Sequence, residues 1–215
     1  MSASTDIGTR VELVSMDAQF EEISIALYRQ DRAGGPVGLV HTYSRKPGAD
    51  ERIAFVTRAM AVLGGLERAD GDDLVRFPCE TWHAAAAKRL FLESCKVDPT
   101  ASLTARSLEI LDKKTGQQIR VEPLGAGTYR VHAEGVTDGA PSRAPAIARG
   151  LAKLAELDTG DDPAVVSFPC AQSHDALVGL LLARALNVRA ALQEEEMKAT
   201  RGVLVAPGAQ EEPAG

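Results

Sequence analysis

The sequence Phe-Pro-Cys, followed by three residues and a histidine, occurs twice, as RFPCETWH at 76–83 and SFPCAQSH at 167–174. The copies contain Cys79 with His83 and Cys170 with His174. Thiolates and neutral imidazoles are ligands that Zn²⁺ prefers, and two of each make a tetrahedral set. One interpretation is therefore a zinc site, either shared by both copies or repeated in each copy.

A second interpretation is thiol chemistry. Each motif lies where we expect a strand to end and a helix to begin, and a helix N-terminus lowers the pKa of a cysteine. Cys79 would then be the nucleophile of a thiol enzyme, with His41 or His83 as its base. Glu80 and Trp82 occur only in the first copy, which favours that copy as the catalytic one.

A third interpretation is a pocket for an anion or a small molecule. Helix N-termini attract carboxylates and phosphates, and Arg52, Arg143, His41 and His132 would supply further binding groups. The chain contains no glycine-rich nucleotide-binding motif, so a nucleotide is not indicated.

A fourth interpretation assigns no chemistry to these residues. Cys79 and Cys170 would be small apolar residues in the core, and the histidines would hydrogen-bond to neighbouring backbone. The protein would then be a scaffold or an interaction module. The sequence keeps all four interpretations open, and with them the question of enzymatic activity.

The two motifs belong to a longer internal repeat. When the chain is shifted by 91 residues, 18 of the 58 positions from Val40 to Val97 match those from Val131 to Val188. All four histidines match, His41 with His132 and His83 with His174, whereas Cys95 has no cysteine counterpart. A period this long predicts a duplicated half rather than a solenoid.

The pattern of apolar residues predicts the same order of elements, ββ-β-α-β-α, in each half. Strands are expected at 11–15, 22–29, 37–44, 74–78, 108–112, 118–124, 128–135 and 164–169, and helices at 50–65, 80–96, 144–157 and 171–201. Since strand–helix–strand units favour parallel pairing, we expect an α+β (α/β two-layer) fold with a mixed sheet and pseudo-twofold symmetry. The halves would span 8–98 and 106–201, and 206–215 would be a disordered tail.

Composition limits the classes of partner. The net charge of −6 argues against nucleic acid and against anionic membranes. Three cysteines and an amino-terminal stretch without a signal-peptide pattern favour the reducing cytoplasm. We expect a monomer or homodimer that binds a small molecule or a protein, with zinc as the candidate cofactor.

Overall fold

The computed structural model describes residues 15–18, 23–30, 37–44, 46–69, 71–79, 83–135 and 142–188. The first half contains β1 (Ser15–Ala18), β2 (Ile23–Gln30), β3 (Val37–Ser44), α1 (Asp50–Gly64), β4 (Glu67–Arg68), β5 (Leu74–Arg76) and α2 (Ala84–Cys95). The second contains β6 (Glu109–Asp112), β7 (Gln117–Gly125), β8 (Thr128–Glu134), α3 (Ala144–Ala155), β9 (Asp158–Thr159), β10 (Val165–Ser167) and α4 (Asp175–Ala185). The predicted α+β class is confirmed. Most of the strand predicted at 11–15, the end of the helix predicted at 171–201 and the tail at 206–215 lie outside the described residues.

Each half forms one sheet, with the strand orders β1-β2-β3-β5-β4 and β6-β7-β8-β10-β9. All pairs in the described residues are antiparallel, so the predicted mixed sheet is wrong. The reason is that a two-residue strand follows the first helix of each half. Such a strand is too short to be recognised from the alternation of apolar and polar residues. The crossover from β3 through α1 leads to β4, which runs in the direction of β3, and the chain then reverses into β5 between them.

The alternation of side chains along the strands determines which face of each sheet meets the helices. In β3, Val40 and Thr42 are fully buried, whereas His41 and Tyr43 on the opposite face are partly exposed. Helix α1 contacts β3 and β5, and α3 contacts β8 and β10. Because α1 also contacts α4, and α2 contacts both α3 and α4, the buried apolar residues of both halves form one continuous core.

Positions 91 residues apart meet between the halves. Glu93 of α2 forms an ion pair with Arg184 of α4, and His83 Nε2 lies 3.2 Å from His174 Nε2. Equivalent positions contact each other only near a twofold axis. An approximate axis between α2 and α4 would account for both contacts, whereas the duplication itself stays a prediction.

The segment between the end of α2 and the start of β6 (residues 96–108, the joining segment) passes directly over α4. A Cβ atom added to Gly179 would lie 2.5 Å from the carbonyl oxygen of Arg106 and 3.1 Å from that of Ser107. Both neighbours are backbone atoms, so rotation of a side chain could not relieve the overlap. Gly179 therefore allows the joining segment and the helix to pack in contact.

Gly179→Ala is expected to lower the free energy of unfolding by about 1–3 kcal/mol, as overpacked core substitutions do. Helix propensity alone would change the free energy of unfolding in the opposite direction, because alanine normally stabilises a helix by about 1 kcal/mol relative to glycine. Chemical denaturation would measure the effect. The control is Ala183→Gly at an exposed position of the same helix, which reports propensity alone; a stabilised Gly179→Ala variant would contradict the close contact.

Candidate metal centre

Strand pairing fixes the start of each ligand-bearing loop. After β5, the Phe77 amide donates a hydrogen bond to the carbonyl of Gly38 (2.9 Å), and the Gly38 amide donates to the carbonyl of Cys79 (3.2 Å). After β10, the Phe168 amide donates to the carbonyl of Gly127 (2.9 Å). The chain therefore still follows its sheet when it reaches the first cysteine.

The histidine of each repeated motif lies immediately before a helix. The carbonyls of His83 and His174 accept the first helical hydrogen bonds of α2 and α4, from Ala87 and Val178, both at 2.9 Å. The helix predicted at 80–96 begins later, at Ala84, and the carbonyl of Cys79 is still bonded to the sheet. The backbone of His83 is left-handed, with a φ of 42° and a ψ of 61°, a conformation that costs about 1–2 kcal/mol in an L-residue.

The two loops bring four donor atoms to one point. The Sγ atoms of Cys79 and Cys170 and ring nitrogens of His83 and His174 all lie within 4.8 Å of one another. From Cys79 Sγ, the Nε2 atoms of His83 and His174 lie 3.3 and 3.7 Å away. From Cys170 Sγ, the same atoms lie 3.3 and 3.1 Å away. The group could hold a metal ion, and each half contributes one thiol and one imidazole.

These distances can be compared with those of a tetrahedral zinc site. Bonds of about 2.3 Å to sulfur and about 2.05 Å to nitrogen require S···N distances of about 3.6 Å and an N···N distance of about 3.3 Å. The four S···N distances lie between 3.1 and 3.7 Å, and the N···N distance is 3.2 Å. These five separations therefore fit a tetrahedral ion of this size, whereas the two Sγ atoms, which lie within 4.8 Å of each other, would lie about 3.8 Å apart in such a site.

The surroundings of the four donors are largely apolar. Cys79, His83 and His174 are buried, Cys170 is half-buried, and the rings of Phe77 and Phe168 lie against both imidazoles with centroid separations of 4.5–6.2 Å. The pKa values of His83 and His174 are both lowered from 6.5 to about 4, mainly by burial; the neighbouring His174 contributes to the lowering at His83, and Asp175 partly opposes it at His174. Both imidazoles are therefore neutral near pH 7, which is the form that binds metals.

Tyr129 of β8 supports the segment that carries Cys170 and His174. The sequence did not indicate this role. The hydroxyl of Tyr129 accepts a hydrogen bond from the His174 amide (2.6 Å) and donates one to Asp175 Oδ1 (2.9 Å). Asp175 Oδ1 also accepts one from Ser173 Oγ (2.6 Å). Burial raises the pKa of Tyr129 to about 12, so this hydroxyl stays protonated. The 91-residue match aligns Tyr129 with Gly38, which is why the repeat gave no sign of it.

The other two histidines lie away from this group. His41 pairs with Asp73 (3.0 Å) and His132 with Glu122 (2.7 Å), both on partly exposed sheet faces. His41 lies opposite Leu74 of β5, whereas the corresponding Val165 of β10 lies opposite Arg130. The place of His41 in the second sheet is therefore taken by Arg130, two residues from His132. The structure does not bring His41 to Cys79.

The two predicted ligand-binding arginines make equivalent backbone contacts. An Nη atom of Arg52 donates to the carbonyl of Cys95 (2.8 Å), and one of Arg143 donates to the carbonyl of Leu186 (3.3 Å). Arg143 also pairs with the buried carboxylate of Asp112. Both arginines thus connect the start of one helix to the end of the next, and their role in binding a ligand stays a prediction.

Comparisons with protein-family models, with curated proteins and with solved structures found no match. Among the helices of the described ranges, none has the length and hydropathy needed to cross a bilayer. Glu80 and Trp82, which favoured the first half as a catalytic one, lie outside the described residues.

The lowered pKa values predict how the metal-free protein responds to acid. Between pH 6.5 and about 4, the unfolded chain takes up protons that the folded imidazoles do not, so the stability that these two histidines contribute is present above pH 6.5 and is lost as the pH falls toward 4. Thermal unfolding of chelator-treated protein at several pH values would measure this slope. The slope is expected to be smaller in His174→Asn, and equal slopes would contradict the assignment of the effect to the buried imidazoles.

Proposed function

We propose that the protein binds one zinc ion through Cys79, His83, Cys170 and His174, and that this ion joins its two halves. The observation that carries the proposal is the convergence of the four donor atoms within 4.8 Å, with S···N and N···N separations close to the edges of a zinc tetrahedron. Metal binding is thus the proposed function, and the zinc ion has a structural role.

The number and burial of the ligands favour a structural site over a catalytic one. Catalytic zinc sites keep one position open for water or substrate, whereas structural sites are closed by four protein ligands. Here the four donors come from protein, and Phe77 and Phe168 pack against the imidazoles. The half-buried side of Cys170 provides a route by which the metal enters.

The charges of the donor set also favour zinc. Two thiolates neutralise the two positive charges of Zn²⁺, and the neutral imidazoles add none, so the loaded site carries no net charge. A neutral site avoids most of the cost of burying an ion among apolar side chains. Cys79 Sγ and Cys170 Sγ lie 3.3 and 3.1 Å from the imidazoles of the residues that precede α2 and α4, and the partial positive charge at a helix N-terminus favours the thiolate form.

Metal analysis of the chain purified without chelator is the direct test. We expect about one zinc per chain, because the four ligands form a single tetrahedral set, and a loss of zinc in Cys79→Ser combined with Cys170→Ser. The matched control is Cys95→Ser, which removes the third thiol, outside the group. Cobalt substitution supplies an independent readout, since tetrahedral Co²⁺ with sulfur ligands absorbs strongly in the visible range. Zinc retained by the double variant would contradict the proposal.

Removal of zinc is expected to lower stability without unfolding the chain, because the apolar core extends through both halves. A free zinc concentration about 1,000 times Kd stabilises a protein by about 4 kcal/mol. For a chain of this size that corresponds to a rise in Tm of roughly 10 °C. Thermal unfolding with and without chelator would measure it, and identical Tm values would contradict a structural role.

A thiol enzyme is the second candidate. It is supported by the half-buried thiol of Cys170, whose Sγ lies 3.1 Å from His174 Nε2, within reach of a base. The interpretation with Cys79 as nucleophile requires a substrate to reach a buried sulfur. Alkylation by iodoacetamide separates the candidates: zinc ligands react slowly until chelator is added, whereas a catalytic thiol reacts rapidly whether or not chelator is present. Reduced thiols of either kind are compatible with the proposed cytoplasmic location.

A further inference from the structure

We propose that Tyr129 is a positioning residue that holds the second half of the metal site in its ligating arrangement before the metal binds. This inference rests on the proposed zinc site. It assigns the preformed part of the site to residues 168–174 (the second loop), which carry Cys170 and His174.

The hydroxyl of Tyr129 is bonded to the backbone of a ligand. The amide of His174 donates to it at 2.6 Å, and the hydroxyl in turn donates to Asp175 at 2.9 Å. Tyr129 itself is only 1 % exposed, so water cannot easily replace the hydroxyl as an acceptor. The backbone from which the His174 imidazole projects is therefore held by β8.

Two further contacts hold the same loop. The ring of Phe168 lies between those of Tyr129 and His174, with centroid separations of 6.0 and 4.5 Å. At the turn before β8, a Cβ atom on Gly127 would lie 2.6 Å from the carbonyl oxygen of Cys170 and 2.9 Å from that of Gln172. The absence of a side chain at Gly127 lets the strand and the ligand loop approach this closely.

The corresponding place in the first half has no hydroxyl. Tyr129 lies opposite Val166 of β10, and the residue opposite the equivalent Val75 of β5 is Val40. His83 adopts the left-handed backbone conformation, whereas His174 has a negative φ of −131°. The strained histidine thus belongs to the half without the tyrosine, which is why we assign preorganisation to the second loop.

Tyr129→Phe tests the inference, because it keeps the ring and removes the acceptor of the His174 amide. Zinc affinity, measured by competition with a chromophoric chelator, is expected to fall by about 10–100-fold, as for other residues that orient metal ligands. The matched control is Tyr43→Phe, on the outer face of β3, which should bind zinc like the wild type. Cobalt spectra of the same variants report whether the geometry of the site has changed.

The outcomes separate the inference from the proposed function. A Tyr129→Phe variant with wild-type zinc affinity would overturn the inference alone, and a wild-type protein that binds no zinc would overturn both. A purely structural role predicts that Tyr129→Phe lowers the stability of the metal-free and zinc-loaded proteins equally, and that result also overturns the inference.

If Tyr129→Phe does not fold, hydrogen exchange on the wild-type protein tests the inference instead. Preorganisation predicts that the His174 amide is protected from exchange in chelator-treated protein. Exchange at the rate of an unprotected amide before zinc is added would overturn the inference.

Discussion

Two thiols and two imidazoles lie within 4.8 Å of one another where the two halves meet, and each imidazole belongs to the residue immediately before a helix, α2 or α4. Polar groups brought together in an apolar environment need compensation, and hydrogen bonds among the four cannot satisfy all of them at once. A tetrahedral cation satisfies all four simultaneously. Three features are consistent with a bound cation: the apolar packing around the site, the left-handed backbone of His83 and the hydrogen bond from the His174 amide to Tyr129 of β8.

The site also bears on how the two halves stay together. Each half contributes one thiol and one imidazole, and each has its own antiparallel sheet. The helices of one half pack on those of the other, and the joining segment lies against Gly179 of α4. A metal bound at this position would add a cross-link between residues far apart in the chain, and would restrict the unfolded state in the same way as a disulfide.

The two halves share an order of elements but differ in detail at the site. Arg52 and Arg143 make the same contact to the end of the following helix, although Cys95 and Leu186 differ in side chain, because only their backbone carbonyls take part. In contrast, Tyr129 has Val40 as its counterpart in the first sheet. The two halves thus share their order of elements, whereas the hydroxyl that accepts the amide of His174 has a valine in the matching place of the first sheet.

The sequence by itself determined the α+β class, most helices and longer strands, and the spacing that makes Cys79, His83, Cys170 and His174 candidate ligands. These follow from local periodicity and from a repeat that is visible without coordinates. Only the tertiary structure decided that β4 and β9 make the sheets antiparallel, because two residues carry no pattern. It alone separated His41 from the cysteines, since strand register is set by pairing between distant segments. The convergence of four side chains from loops 91 residues apart likewise depends on how the helices of the two halves pack, and no local pattern encodes that packing.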